Sequence, residues 1–327
     1  DAAMRLRALA GLGEAASGAG LHDRASDAFR AAVELGRGQG PAAFADTVLR
    51  YSAARAEFGL LDVEMNALLE GALSRLGDDP SARRVCLQAR LAAGLSLQPG
   101  AEQRRRTLAD DAMERGRALD DPATLEFVHK RRLIALLGPD TLDEHLAATD
   151  EILRTATSSR EADLGALTYR ADALAQLGDR SRLDHVLAAF EQKAHSSRQP
   201  FFLWMLASFQ TAIALLEGRY ADAEKLANDA FLRGQPVQAR TAVLYYAQQL
   251  FMLRGRQGRF AEIQPVIEAG ASEAGVIPAW RCTLAEFLDL SGRRAEARHE
   301  LDALAADDFA GLPRDPGWLG GMFLLAG

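Results

Sequence analysis

The chain has 327 residues, of which 48% are hydrophobic and 25% charged; this excludes a disordered polypeptide and leaves ample apolar side chain for a large core. Its formal net charge is −7, with an isoelectric point near 5.5, which argues against this segment gripping a phosphate backbone. No apolar run is long enough for a membrane helix. Cys86 and Cys282 lie far apart and match no metal or redox spacing, so a reducing, cytoplasmic compartment is the simplest expectation.

Apolar residues recur at three- and four-residue steps along the whole chain, in pairs of segments. Residues 1–36 form the first expected helix pair. The second spans 41–57 and 60–76, the third 81–97 and 101–119, and the fourth 123–137 and 141–155. The fifth spans 160–177 and 180–194. The sixth, 201–231, is the clearest: Trp204, Met205, Phe209, Ile213 and Leu216 mark one helix, and Tyr220, Ala223, Ala227 and Ala230 the next, across a turn at Gly218. The seventh pair covers 237–256 and 260–269, with Pro265 shortening or kinking its second helix. The eighth covers 279–290 and 295–305. Residues 308–327 start a ninth first helix that this chain does not finish, and the whole is expected to be cut from a longer protein.

A glycine precedes each second helix: Gly20, Gly59, Gly100, Gly138, Gly178, Gly218, Gly258 and Gly292, at steps of 39, 41, 38, 40, 40, 40 and 34. Prolines at 41, 80, 122, 200, 236 and 278 mark the starts of first helices, where the missing N–H is not needed. The start without a proline falls near Ser158 and Ser159, where serine can cap instead. One helix pair cannot bury its own apolar surface, so it must stack on neighbours. The expectation is an all-α chain, a single α-solenoid over residues 1–327 with a period near 40 residues.

No catalytic constellation emerges. The glycines from Gly36 to Gly40 lack the lysine and hydroxyl residue of a phosphate loop and read as a helix end. The six histidines are scattered without ligand spacing. Paired acids such as Asp78-Asp79 and Asp120-Asp121 sit at helix junctions, where capping explains them. The chain is therefore read as non-catalytic, with no metal and no cofactor in this segment.

Leu12-Gly13 followed by Ala25, Phe29 and Ala32 resembles the tetratricopeptide pattern, a small residue at a close helix contact with an aromatic packed into it. That resemblance implies about eight helix pairs in a right-handed superhelix, with first helices lining a concave groove. By its offsets the groove is lined by Arg90, Arg132, Thr168, Asp172, Tyr245, Gln248, Cys282 and Glu286, with Trp204, Tyr246 and Gln249 beside them. Aromatics, amides and both charge signs suit a peptide, protein or small-molecule effector. The stretches 138–144, 198–204, 214–224, 248–254 and 312–319 resemble the tetratricopeptide-like region of actinobacterial large ATP-binding regulators. These include LuxR-type and antibiotic regulatory proteins related to the maltose-regulon activator, and ATPase-coupled adenylate cyclases. The resemblance implies a sensory or scaffold domain of a cytoplasmic transcriptional regulator, coupled to an ATPase domain elsewhere in the parent chain, without nucleic-acid or membrane contact of its own. A protein-interaction or oligomerisation module with no small ligand, from such a cyclase or otherwise, stays open beside it, as does a homo-oligomer.

Overall fold

The computed structural model describes residues 1–19, 21–55, 59–154, 159–272 and 279–326, the side chains of 22, 269–272 and 307 apart. Among these residues there are seventeen α-helices, four short 3-10 turns and no strand. The helices are Ala2–Gly18 (α1), His22–Arg37 (α2), Pro41–Arg55 (α3), Val63–Leu76 (α4), Ala82–Gly94 (α5), Glu102–Ala118 (α6), Pro122–Ala135 (α7), Leu142–Arg154 (α8) and Arg160–Gln176 (α9). They continue with Arg180–Ser197 (α10), Pro200–Leu216 (α11), Tyr220–Gly234 (α12), Ala239–Arg256 (α13), Gln264–Ser272 (α14), Trp280–Leu290 (α15), Arg294–Ala305 (α16) and Pro316–Leu325 (α17). The fold is all-α and solenoid-like. No described helix is long and apolar enough to cross a membrane.

Two compact units divide the chain, α1 to α7 and α8 to α17. Within the first, every helix packs on the next in sequence, and the first helices α1, α3, α5 and α7 also touch in succession. Gly13 of α1 carries a close contact there: the fully buried Phe29 ring lies where a Cβ would stand. Phe29 in turn stacks on Tyr51, with centroids 5.1 Å apart. The pairing of small residue and aromatic expected at 13 and 29 is thus the actual contact.

In the second unit the turn between paired helices is built the same way four times. Asp179 N–H donates to Leu174 O, Arg219 to Ala214, Arg259 to Arg254 and Arg293 to Leu288, with no bond longer than 3.0 Å. Each bond spans a glycine, Gly178, Gly218, Gly258 or Gly292, with φ between +67° and +76°. This is the glycine-terminated helix cap in which the left-handed residue lets the chain reverse and satisfies a stranded carbonyl. The residue after the glycine is at once the cap of the next helix, as for Asp179, whose carboxylate accepts from Arg182 N at 3.1 Å. Gly59 and Gly100 also have positive φ; Gly20 lies outside the described residues.

Gly138 is a different turn. Its φ is +148°, and a Cβ there would collide with the backbone oxygen of Arg314. Arg314 pairs with Asp140 through Nε and Nη2, and its guanidinium lies 4.1 Å from the Trp318 ring centroid. Residues 174 apart in sequence therefore join, and α17 packs both on α15 and on the 3-10 turn Pro139–Thr141. Asp315 caps α17, accepting from Gly317 N at 2.7 Å, and Pro316 opens that helix.

Proline marks the helix start at Pro41, Pro122 and Pro200. Ser159 supplies the cap where no proline stands, its Oγ accepting from Ala162 N at 3.2 Å. Two of the expected starts shift. Pro80 precedes α5, which opens at Ala82 after an Asp79–Ser81 turn. Pro236 falls in the turn closing α12, and α13 opens only at Ala239. Pro265 ends no helix: Phe260–Glu262 is a 3-10 turn and α14 begins afresh at Gln264, with the proline in its first turn where no donor is lost. Pro278 lies outside the described residues.

The turn chemistry sets an order among glycine substitutions. Gly218→Ala, which meets no atom, is expected to cost about 1 kcal/mol through its backbone alone. Gly138→Ala should cost more, because φ and collision add. Gly71→Ala, in the interior of α4 with open space around it, should stabilise by roughly 0.5–1 kcal/mol. Chemical-denaturation midpoints of the three variants check the ranking.

Candidate functional site

The groove residues expected from sequence fall into both units. In the first, Arg90 reaches from α5 to α3 and donates to Ser52 O at 3.0 Å and Ser52 Oγ at 3.3 Å. Arg132 on α7 pairs with Asp110 of α6 at 3.5 Å. Both guanidiniums knit neighbouring helices together, which is a structural use of the charge.

In the second unit two expectations are corrected. Trp204 is 1% exposed and belongs to the core. Its indole edge lies against Gly234, in space that is open because Gly234 has no Cβ. Thr168 is also buried, and its hydroxyl donates to Leu164 O of its own helix at 2.9 Å. That bond satisfies the hydroxyl proton internally and leaves it nothing to donate to a ligand.

Asp172, Tyr245, Gln248 and Glu286 remain partly open on the first helices α9, α13 and α15. Asp172 accepts from Gln176 Nε2 at 2.8 Å. Among the described residues it has no ion-pair partner, and its neighbour Arg170 is turned to Asp150 and Thr149 of α8. Burial pushes the Asp172 carboxyl up to about 6, the Gln176 amide opposing. The Oε1 of Gln176 is buried with no partner. Tyr245 comes from α13, and burial pushes its phenol up, with the Asp172 and Tyr169 charges next in weight. Its ring lies 5.6 Å from that of Trp204, tilted by 57°, so the buried indole backs the more open tyrosine. Tyr169, one turn before Asp172, meets the His145 ring of α8 at 5.8 Å. Burial holds His145 down to about 4, against the Leu136 carbonyl, and its Nε2 has no partner.

Solvent reaches small residues on both α9 and α11. Ala175 and Ala212 are exposed, whereas Ser208 and Met205, earlier on α11, are buried. Neither α9 nor α11 has a basic residue in its last turn. Gln248 Oε1 accepts from the Thr283 hydroxyl at 3.2 Å. Burial and then Asp289 raise Glu286, with Arg256 opposing.

The remaining candidates are less open to chemistry. A cleft of about 430 Å³ between α14, α15 and α16 is lined by Glu268, Arg293, Glu296, His299 and Glu300 over a leucine floor. Its charges are already matched: Arg293 pairs with Glu268 and Glu296, and Glu300 with Arg281 at 2.8 Å. Burial pushes the Cys86 and Cys282 thiols up to about 11, away from the thiolate form. The described residues contain no group of three or more His, Cys, Asp or Glu placed to hold a metal ion.

Sequence reasoning named Asp172 and Tyr245 but missed Tyr169, Gln176 and His145. Tyr169 and Gln176 lie on the turns flanking Asp172, and the helical offset from Asp172 was a sufficient signal. His145 comes from the other helix layer, where no groove offset applies. Neither a protein-family model nor a curated protein matches this chain.

Asp172 and His145 give opposite pH signatures. The folded state raises Asp172 from 3.8 to about 6, so its contribution is full below the lower value and is lost as pH rises through the upper one. His145 falls from 6.5 to about 4, so its contribution is present above the upper value and is lost as pH falls through the lower one. Asp172→Asn is expected to raise the thermal midpoint at pH ~7.5, and the gain should shrink towards pH ~4, where both forms are neutral. Thermal melts followed by circular dichroism across that range check the sign.

Proposed function

We propose that the chain is a non-catalytic, effector-binding scaffold whose receptor surface is the first-helix face of the second unit. One observation carries this reading. Asp172 and Gln176 on α9, with the Asp172 charge acting on the Tyr245 phenol of α13, form a partly buried polar group in which, among the described residues, the carboxylate has no cation and the amide oxygen no donor. A buried polar group left unmatched is costly, and a ligand is the natural source of the missing partner. The resemblance of 138–144 and 312–319 to large ATP-binding regulators supports placing this scaffold in a cytoplasmic transcriptional regulator. There, an effector bound better by one arrangement of the helices would shift an attached ATPase by that difference in affinity alone.

The second reading, an interaction or oligomerisation module, has its own support. Met4 and Leu12 on α1, and Leu319 and Phe323 on α17, are exposed apolar side chains at helical spacing. Such faces suit a protein partner or a second copy.

Two measurements separate the readings. Calorimetric titration of the 327-residue chain with a panel of cationic, neutral and anionic metabolites should give saturable binding for at least one class, abolished or weakened by Asp172→Asn. Light scattering should then show no change of mass on binding. A stable oligomer that binds no compound of any class, and that Phe323→Ser dissociates, would support the second reading instead.

A further inference from the structure

We propose that the Asp172 site of the second unit takes a small organic amine, its ammonium group seated on the Asp172 carboxylate beside the Tyr245 ring. This inference rests on the binding reading and names the ligand class for that same surface.

The chemistry of the site is one-sided. The Asp172 carboxylate receives one amide N–H, from Gln176 at 2.8 Å, and has capacity for further donors. The Gln176 amide spends a hydrogen on the carboxylate, and its Oε1 is a second acceptor next to it, buried and unmatched. Two acceptors side by side call for a group with several N–H donors, and an ammonium carries three. A neutral alcohol has one donor and no charge, and an anion has the wrong sign.

The surroundings favour positive charge and supply none. Asp172 sits near the C-terminal end of α9, the negative end of the helix dipole, and no basic residue occupies the last turn of α9 or α11. The cationic side chains nearby are committed elsewhere. Arg170 is held by Asp150 and Thr149. Arg254, in the last turn of α13, is held by Glu224 and Glu262. Arg256 opposes the Glu286 charge one helix further on. The titratable groups that bear on the site are Tyr169 from α9, Tyr245 from α13 and, behind Tyr169, His145 from α8. Burial holds His145 neutral down to about 4, so it contributes no positive charge at neutral pH.

The aromatic wall completes the match. Tyr245 is backed by buried Trp204 at 5.6 Å, and Trp204 by Phe201 at 5.7 Å. An aromatic face beside a carboxylate attracts an ammonium through its quadrupole while the carboxylate attracts it through charge. Ala175, three residues after Asp172 on the same helix, is exposed and short, so the carbon chain of an amine meets no long side chain at that position.

The test is calorimetric titration of the whole chain near neutral pH with putrescine, n-butylamine, tetramethylammonium, 1,4-butanediol and butyrate. Putrescine and n-butylamine should bind. Tetramethylammonium, which has no N–H to offer Gln176, should bind more weakly, and the diol and butyrate should not bind. Asp172→Asn should weaken amine binding at least about tenfold, the order expected for losing a charge-assisted hydrogen bond. Asp222→Asn, which removes an equal charge from the exposed surface of α12, should leave it unchanged. Circular dichroism melts confirm that both variants fold. Amine affinity should also fall as pH drops through about 6, where Asp172 takes up its proton. Equal binding of putrescine and butanediol, equal loss in the Asp222→Asn variant, or absence of any amine binding would overturn the amine assignment. Neutral or anionic metabolites that bind while amines do not would leave the receptor reading standing and remove only the cation claim.

Discussion

A left-handed glycine at the end of each first helix is the constraint on which the second unit depends. At Gly178, Gly218 and Gly292 the chain leaves one α-helix and enters the next after three residues, and at Gly258 it enters the 3-10 turn Phe260–Glu262 ahead of α14. A Cβ at such a φ crowds the neighbouring carbonyl oxygen, and any longer connection would leave helix-end carbonyls without donors. Glycine solves both problems, because the N–H one residue beyond it returns to the carbonyl five residues back. With the reversal so short, paired helices must lie side by side. The alanines Ala223, Ala227 and Ala230, each at most 2% exposed, then let them approach closely. The apolar surface left on each pair is covered by the next, so local turn geometry propagates into the order of packing.

The same regularity concentrates polarity on one face. Once second helices and core positions have taken the alanines, leucines and Trp204, the remaining polar positions of α9 and α13 are held near one another by packing they do not control. Asp172 then carries a charge that burial disfavours and that no arginine among the described residues offsets. Several other half-buried charges are matched, as for Arg254 with Glu224 and Glu262, or Arg55 with Asp62 and Glu64. These closed networks hold helices together, whereas the acceptors at Asp172 and Gln176 have no such partner among the described residues.

A second departure from strict nearest-neighbour packing is the junction of Gly138 and Asp140 with Arg314 and Trp318. Repeat proteins normally touch only adjacent pairs, whereas here the C-terminal helix of the second unit returns to the turn that opens it. The exposed ion pair contributes little by itself. The close approach of the Arg314 backbone oxygen to Gly138 requires a residue without a side chain, and the stacking of Arg314 on Trp318 orders the guanidinium that reaches Asp140. The stretches 138–144 and 312–319 thus supply the facing sides of a single contact.

The helices and most of their boundaries were legible from the amino acids alone, because a helix start or stop is decided within a few residues: Pro200 at a first turn, Ser159 as a cap, Gly218 as a reversal. The contact of Phe29 with Gly13 was legible for the same reason, since it joins consecutive helices. Pro80 and Pro236 misled by two or three residues, because a proline is also accommodated in the turn ahead of a helix. What lay beyond the sequence was which face of each first helix solvent reaches. Trp204 and Asp172 both lie on first helices and were both expected along the groove, yet the indole is sealed against Gly234 while the carboxylate stays partly open. That difference depends on the volume left by residues from other helices, as does the meeting of Gly138 with Arg314, whose side chain reaches Asp140 across 174 positions. Local periodicity sets where helices run; only close packing in three dimensions decides which side chains it spends on the core and which it leaves for a partner.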